Sequence, residues 1–103
     1  MENYQLIFSL ESREDLISIQ NYIFEESQNF SIADDFVKGL YTTLKSSLPN
    51  FPQKHPIYNN DVRKFIFPKY VHYTAYFEID EDNERVIILA ITDSKQFTRY
   101  MGL

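Results

Sequence analysis

Residues 63 to 92 constrain the fold more than any other part of this chain. They read as three consecutive strands, Arg63 to Phe67, His72 to Ile79 and Arg85 to Thr92, rich in β-branched and aromatic residues. Pro68-Lys69 separates the first two, and the acidic run Asp80 to Glu84 separates the second from the third. Strands joined this tightly form an antiparallel meander. Alternation sends Tyr73, Ala75, Phe77 and Ile79 of the middle strand to one face and His72, Thr74, Tyr76 and Glu78 to the other. The first face is apolar and needs a cover. The second is mixed and carries groups able to bind or react.

The cover comes from the first half. Tyr4 to Phe8 reads as a short strand that adds to the same sheet at an edge. Ser12 followed by Asp15 predicts the start of a helix that runs to about Ser27. Leu16, Ile19 and Ile23 form its apolar stripe, widened by Ile17, Tyr22 and Phe24. Ser31 to Asp34 predicts a second helix start. Behind it Ala33, Phe36, Val37, Leu40, Tyr41, Leu44 and Leu48 recur at helical spacing, with Gly39 as a weak point and Pro49 and Pro52 as the stop. Residues 49 to 62 show no periodicity and read as an ordered, irregular loop. The tail after Thr92 reads as a short helical turn or a free end. The expected architecture is a single α+β domain over residues 1 to 103, in two layers. Its order is β-α-α-β-β-β, with a helical hairpin on one face of a small antiparallel sheet.

Composition removes several function classes. The chain has no Cys, so thiol catalysis, disulfides and thiolate metal sites are excluded. The two histidines, His55 and His72, lack ligand spacing, which argues against structural zinc. Two glycines leave no glycine-rich phosphate loop. No apolar run approaches the ~20 residues that span a bilayer, and the first apolar run is too short for a signal peptide. The expectation is a cytoplasmic protein without a membrane partner. The net charge of −5 is uneven. Residues 1 to 35 hold eight acids and one base, Arg13, while residues 36 to 103 hold seven acids and nine bases. A polyanion site would therefore belong to the second half, against an overall field that repels nucleic acid.

No catalytic motif is present. The candidates are a basic and aromatic group on or between the first two meander strands, Arg63, Lys64, Lys69, Tyr70, His72 and Tyr76, and a tail group, Lys95, Arg99 and Tyr100. Cations beside aromatics on an open sheet face can hold phosphates and stack bases. Arg99 beside Tyr100 can pair phosphate stabilisation with proton transfer. The same residues equally suit a solvated sheet face and a frayed terminus. The adjacent acids Asp34-Asp35 and Glu25-Glu26 diverge by about 100° on a helix and suit solvation rather than acid–base work.

In order and spacing the chain resembles the RelE/ParE superfamily of toxins from type II toxin–antitoxin systems, nearer the ParE-like branch. The resemblance rests on Phe8-Ser9 leading to Asp15-Leu16, Ile19 and Tyr22-Ile23, then on Ala33, Phe36, Leu40, Leu44 and Leu48 closing at Phe51-Pro52. It continues through Arg63 opening a strand, Tyr70 to Tyr76, and Val86 to Ile91. It implies the helical-hairpin fold derived above and a growth-inhibiting toxin held inactive by a cognate antitoxin, with no cofactor. RelE-like members cut mRNA on the ribosome without a metal, whereas ParE-like members poison DNA gyrase. Arg63 matches the strand-opening arginine, and Tyr100 aligns with the C-terminal aromatic of the nucleases. Arg63, Lys95, Arg99 and Tyr100 are then the catalytic set expected of a nuclease. Lys64, Lys69, Tyr70, His72, Tyr76 and Phe97 are the binding candidates. Many members place a His just after the last strand's Ile, but here Ile91 is followed by Thr92-Asp93-Ser94-Lys95. That departure points toward a toxin acting on gyrase by binding. A ribosome-dependent endoribonuclease and a degenerate, non-toxic relative are the alternatives, so whether the chain is an enzyme stays open at this level.

Overall fold

A computed structural model describes residues 3–70 and 72–93. The chain runs β1 (Gln5–Phe8), α1 (Leu10–Ser27), α2 (Phe30–Ser47), a 3-10 turn (Pro52–Lys54), β2 (Ile57–Asn59), β3 (Val62–Ile66), β4 (Tyr73–Asp80) and β5 (Arg85–Asp93). The five strands make one sheet in the order β1-β5-β4-β3-β2. The meander β3-β4-β5 is antiparallel as the sequence predicts, and β1 adds to β5 in parallel at the edge. The two helices pack on one face, giving the expected α+β two-layer domain.

That face holds the main core. Leu40 and Leu44 of α2, Leu48 at its C-terminal cap and Ile19 of α1 pack on Phe65, Tyr73, Ala75, Phe77, Val86, Ile88 and Ile91 of the sheet and on Phe67 just after β3. Phe67, Phe77, Leu40, Leu44, Leu48, Val86 and Ile88 are fully buried. Each such side chain contributes roughly 1.5–3 kcal/mol of burial free energy.

The helix starts differ from the sequence expectation. Ser9, in extended conformation, caps α1 by accepting the Ser12 backbone N–H at 3.1 Å. Asn29 caps α2 by accepting the Ile32 N–H at 3.2 Å. Ser12 and Ser31 are instead helical. Ser12 is buried and returns its hydroxyl to the Ser9 carbonyl. The caps lie three and two residues ahead of the serines in the serine–acid patterns, because any Ser, Thr or Asn ahead of an apolar stripe can supply the capping oxygen. Two other expectations change. Residues 49 to 62 are not wholly irregular, since they contain the 3-10 turn and the edge strand β2. Ile17 and Phe24 do not widen the buried stripe of α1. They are 58% and 41% exposed, on the side of the helix away from the core.

A bulge sets the register of the sheet. Tyr76 pairs with Ala90 and Phe77 with Ile88, which leaves Leu89 unopposed. Leu89 and Ala90 both pack in a smaller cluster on the uncovered face, with Val62, Tyr76 and Tyr58. Strict alternation resumes at Ile91, which returns to the core. β1 pairs with β5 only as far as Ile88, so the backbone of β5 beyond it needs other partners. The start of α1 supplies them. Ser9 N–H donates to the Ile88 carbonyl, Ser9 Oγ to the Leu89 carbonyl, and the buried Asp15 carboxylate accepts the Ile91 N–H at 2.9 Å. Asp15 therefore completes the sheet edge instead of a capping box.

Candidate functional site

The meander candidates divide between the two faces of the sheet. Arg63 stands opposite Phe77 on β4, in the alternating row with Phe65 on the helix-covered side. Its Nη1 donates to the Gln53 carbonyl at 3.1 Å and the His55 carbonyl at 2.7 Å. The guanidinium therefore fastens the segment after α2 to the sheet. Gln53 in turn donates to Tyr4 Oη at 2.8 Å and to the Glu81 carboxylate, which also accepts the Tyr4 hydroxyl at 2.8 Å. Chain start, 3-10 turn, β3 and the β4–β5 turn are joined in one network.

Lys64 and Tyr76 face each other across β3 and β4 on the uncovered side. Tyr76 is 8% exposed, although the sequence reading gave it to an open mixed face. Its ring lies 4.9 Å from that of Tyr58. Burial raises its phenol pKa, as does the neighbouring Tyr58, while a hydrogen bond with Thr92 opposes them. A neutral, half-packed phenol is a structural group more than a proton donor.

Lys69 and His72 are exposed in the connection between β3 and β4. Tyr70 turns inward, edge-on to Phe36 at 4.9 Å and Phe67 at 6.3 Å. Its hydroxyl reaches α2 at Gly39, where any Cβ would collide with it. This explains a glycine in mid-helix, which sequence could register only as a cost. Tyr73, also against Phe36, has its phenol pushed up to about 12 by burial first, then by Asp93 and Tyr22. The tail candidates Lys95, Phe97, Arg99 and Tyr100 lie outside the described residues. Among the described residues, then, the candidates occupy four separate places: Arg63 on the helix-covered side, Lys64 and Tyr76 on the other face, Lys69 and His72 exposed in the connection, and Tyr70 against the core. No group of three or more His, Asp or Glu side chains among them is set to hold a metal ion.

His55 has no ligand spacing in the sequence. It packs edge-on to Phe65 at 5.1 Å and Phe77 at 5.9 Å. Burial lowers its pKa, and the positive charges of Lys54 and Arg63 lower it further. It is a neutral wedge at the end of the core.

The sequence reading also missed a cleft beside β1. One part, of about 360 Å³, is lined by Leu6, Ile7, Phe8, Arg13, Leu16 and Tyr41. A second part, of about 380 Å³, continues past Leu6, Phe8 and Tyr41 to Lys45 and Pro49. Phe8 stacks on Tyr41 at 5.3 Å in the floor, and Lys45 sits over the Tyr41 ring. β1 is an edge strand, and among the described residues no strand pairs with its outer side. Gln5 and Ser9 turn their N–H groups to β5, so those of Leu6 and Phe8 face the cleft. The two cations, Arg13 and Lys45, flank this edge. A one-sided strand at the chain start, beside the only base of the first 35 residues, is the signal that sequence held for it.

The comparisons with known proteins agree with this geometry. Residues 6–96 match the model of the family described as ParE toxin of type II toxin–antitoxin system, parDE. The chain belongs to the ParE toxin family. It is similar in structure to a chain of the chromosomal ParDE toxin–antitoxin system from P. aeruginosa. The TM-score is 0.74 at 17% identity, over 87% of this chain and 95% of that one. A chain of the RelBE2 toxin–antitoxin complex from Mycobacterium tuberculosis gives 0.67 at 15% identity, over 90% and 93%. The isolated E. coli RelE toxin gives 0.53 at 13% identity, over 94% and 90%. At these identities the structural likenesses establish the fold. No curated protein sequence matches the chain.

Proposed function

We propose that this ParE-family toxin is a cytoplasmic protein that arrests growth by binding DNA gyrase, and that a cognate antitoxin neutralises it. The observation that favours binding over RNA cleavage is the position of Arg63. It is committed to two backbone carbonyls on the helix-covered side, away from Lys64 and Tyr76. Phosphoryl-transfer chemistry needs its cations and proton carriers within hydrogen-bond reach of one phosphate. The cleft beside β1 suits the antitoxin. An extended segment can add to the free edge, place apolar side chains on Phe8 and Tyr41, and set acids near Arg13 and Lys45.

The test is induced expression, followed by two readouts from the same culture. Supercoiling by purified gyrase should fall in the presence of the toxin, and induced cells should show DNA breaks with intact mRNA. Cleaved mRNA and unaffected supercoiling would replace this reading with the RelE-like one, and absence of growth arrest would leave a non-toxic relative. Reversal of Arg13 and Lys45 to Glu should weaken antitoxin binding without unfolding the toxin.

A further inference from the structure

Residues 51 to 56 link α2 to β2 as a short strap. Two of its side chains go inside: Pro52, which is fully buried, and His55, whose ring stands edge-on to Phe65 and Phe77. The rest of its hold is polar. Arg63 Nη1 donates to the Gln53 and His55 carbonyls, and the Lys64 N–H donates to the Pro56 carbonyl at 3.1 Å. The Gln53 amide donates to Tyr4 Oη and to Glu81. The chain enters the strap through Phe51, which has φ 53° and is 62% exposed. A bulky residue takes that left-handed conformation only under constraint. Strained at its entry and held by few contacts, such a segment can open on its own.

His55 decides when. Its Nε2 is buried and has no hydrogen-bond partner among the described residues. A neutral ring leaves at most one weak demand unmet there. In a protonated ring both nitrogens donate, so Nε2 becomes a buried donor on a charged group with nothing to accept it. The surrounding charges push the same way. Lys54 on its own turn and Arg63 on β3 act on it, both positive, and β4 presents the Phe77 ring. Glu81, in the β4–β5 turn, has its carboxylate on Tyr4 and Gln53.

We propose that residues 51 to 56 are an acid-released strap: a second proton on His55 lifts them off the sheet while the helices and the β3-β4-β5 meander stay folded. In the open strap the imidazolium reaches water and Phe51 relaxes. Arg63 loses both carbonyl acceptors, and Tyr4, which lines one end of the cleft beside β1, loses Gln53. The closed strap keeps His55 neutral and the open one lets it charge. Opening therefore takes up one proton, and its equilibrium constant rises by up to about tenfold per pH unit below the ordinary histidine value of 6.5.

Hydrogen exchange of the folded toxin, followed by NMR from about pH 7 to about pH 5, tests this across the range where a histidine charges. The Lys64 N–H reports the strap, and amides of the β4–β5 ladder report the rest. After correction for intrinsic exchange, Lys64 should lose protection as pH falls, by up to about tenfold per unit, while the ladder keeps its own. The His55 ring should titrate below that of the exposed His72. His55→Phe keeps an aromatic wedge with no proton to gain, and should hold Lys64 protected throughout. Glu81→Gln removes the carboxylate of the strap network, and should leave the acid response in place. A flat Lys64 profile in the parent overturns the inference, as do His55 and His72 titrating together. So does a response that survives His55→Phe, or one that disappears with Glu81→Gln and so hands the trigger to the carboxylate. Ladder amides that lose protection in step with Lys64 overturn it too, because the whole domain is then unfolding.

Discussion

The two faces of one sheet serve different ends. On the helix-covered face Phe65, Phe77, Val86 and Ile88 meet Leu40, Leu44 and Leu48, with almost nothing left in water. On the other face the apolar residues are few. Val62, Tyr76, Ala90, Tyr58 and Leu89 cover one another, and among the described residues no second layer lies over them. Adjacent residues of β3 show the contrast. Arg63 spends its charge on holding a loop, and Lys64 beside it stands on the uncovered side. Residue type did not separate them. A difference of one position along a strand did, because alternate side chains point to opposite faces.

Phe77→Ala should have the largest effect, costing about 3–5 kcal/mol by the usual penalty for an aromatic removed from a packed core. Ile66→Ala, at a position 57% exposed, should cost less than about 1 kcal/mol by chemical denaturation. Similar losses would mean that the uncovered face has a hidden partner. Arg63→Ala should cost about 1.5–3 kcal/mol, because two carbonyls lose a charged donor. Lys64→Ala should fall within about 0.5 kcal/mol. If Arg63→Ala leaves stability intact and abolishes toxicity, the arginine is functional and the scaffold account fails.

Gly39→Ala should destabilise by about 1–3 kcal/mol, against its helix-propensity gain, because the new methyl meets the Tyr70 hydroxyl. Tyr70→Phe in that background should recover part of the loss. The smallest effect concerns pH. His55 titrates below its ordinary value in the folded chain, so the unfolded chain binds its proton first. The stabilisation is complete above the unfolded value of 6.5 and declines as pH falls from there toward the lower folded value. Melting temperatures of parent and His55→Phe should diverge across that window. Parallel curves would show that His55 is not the wedge between Phe65 and Phe77.

The sequence by itself determined the meander, the helical hairpin, the apolar face and the family. These follow from periodicity and turn chemistry, which are local and repeat over many residues. Toxin class was legible for the same reason, since the order of core positions carries it. Local pattern could not decide the roles of single polar residues. Asp15 looked like half of a capping box, and tertiary structure made it the partner of a backbone N–H that β1 stops short of reaching. Arg63 looked like an active-site cation and serves a loop eight residues away. Ile17 and Phe24 looked like core and line the outer face of α1. A polar or single apolar side chain takes its role from whichever group lies across from it, and that neighbour is set by folding, not by spacing along the chain.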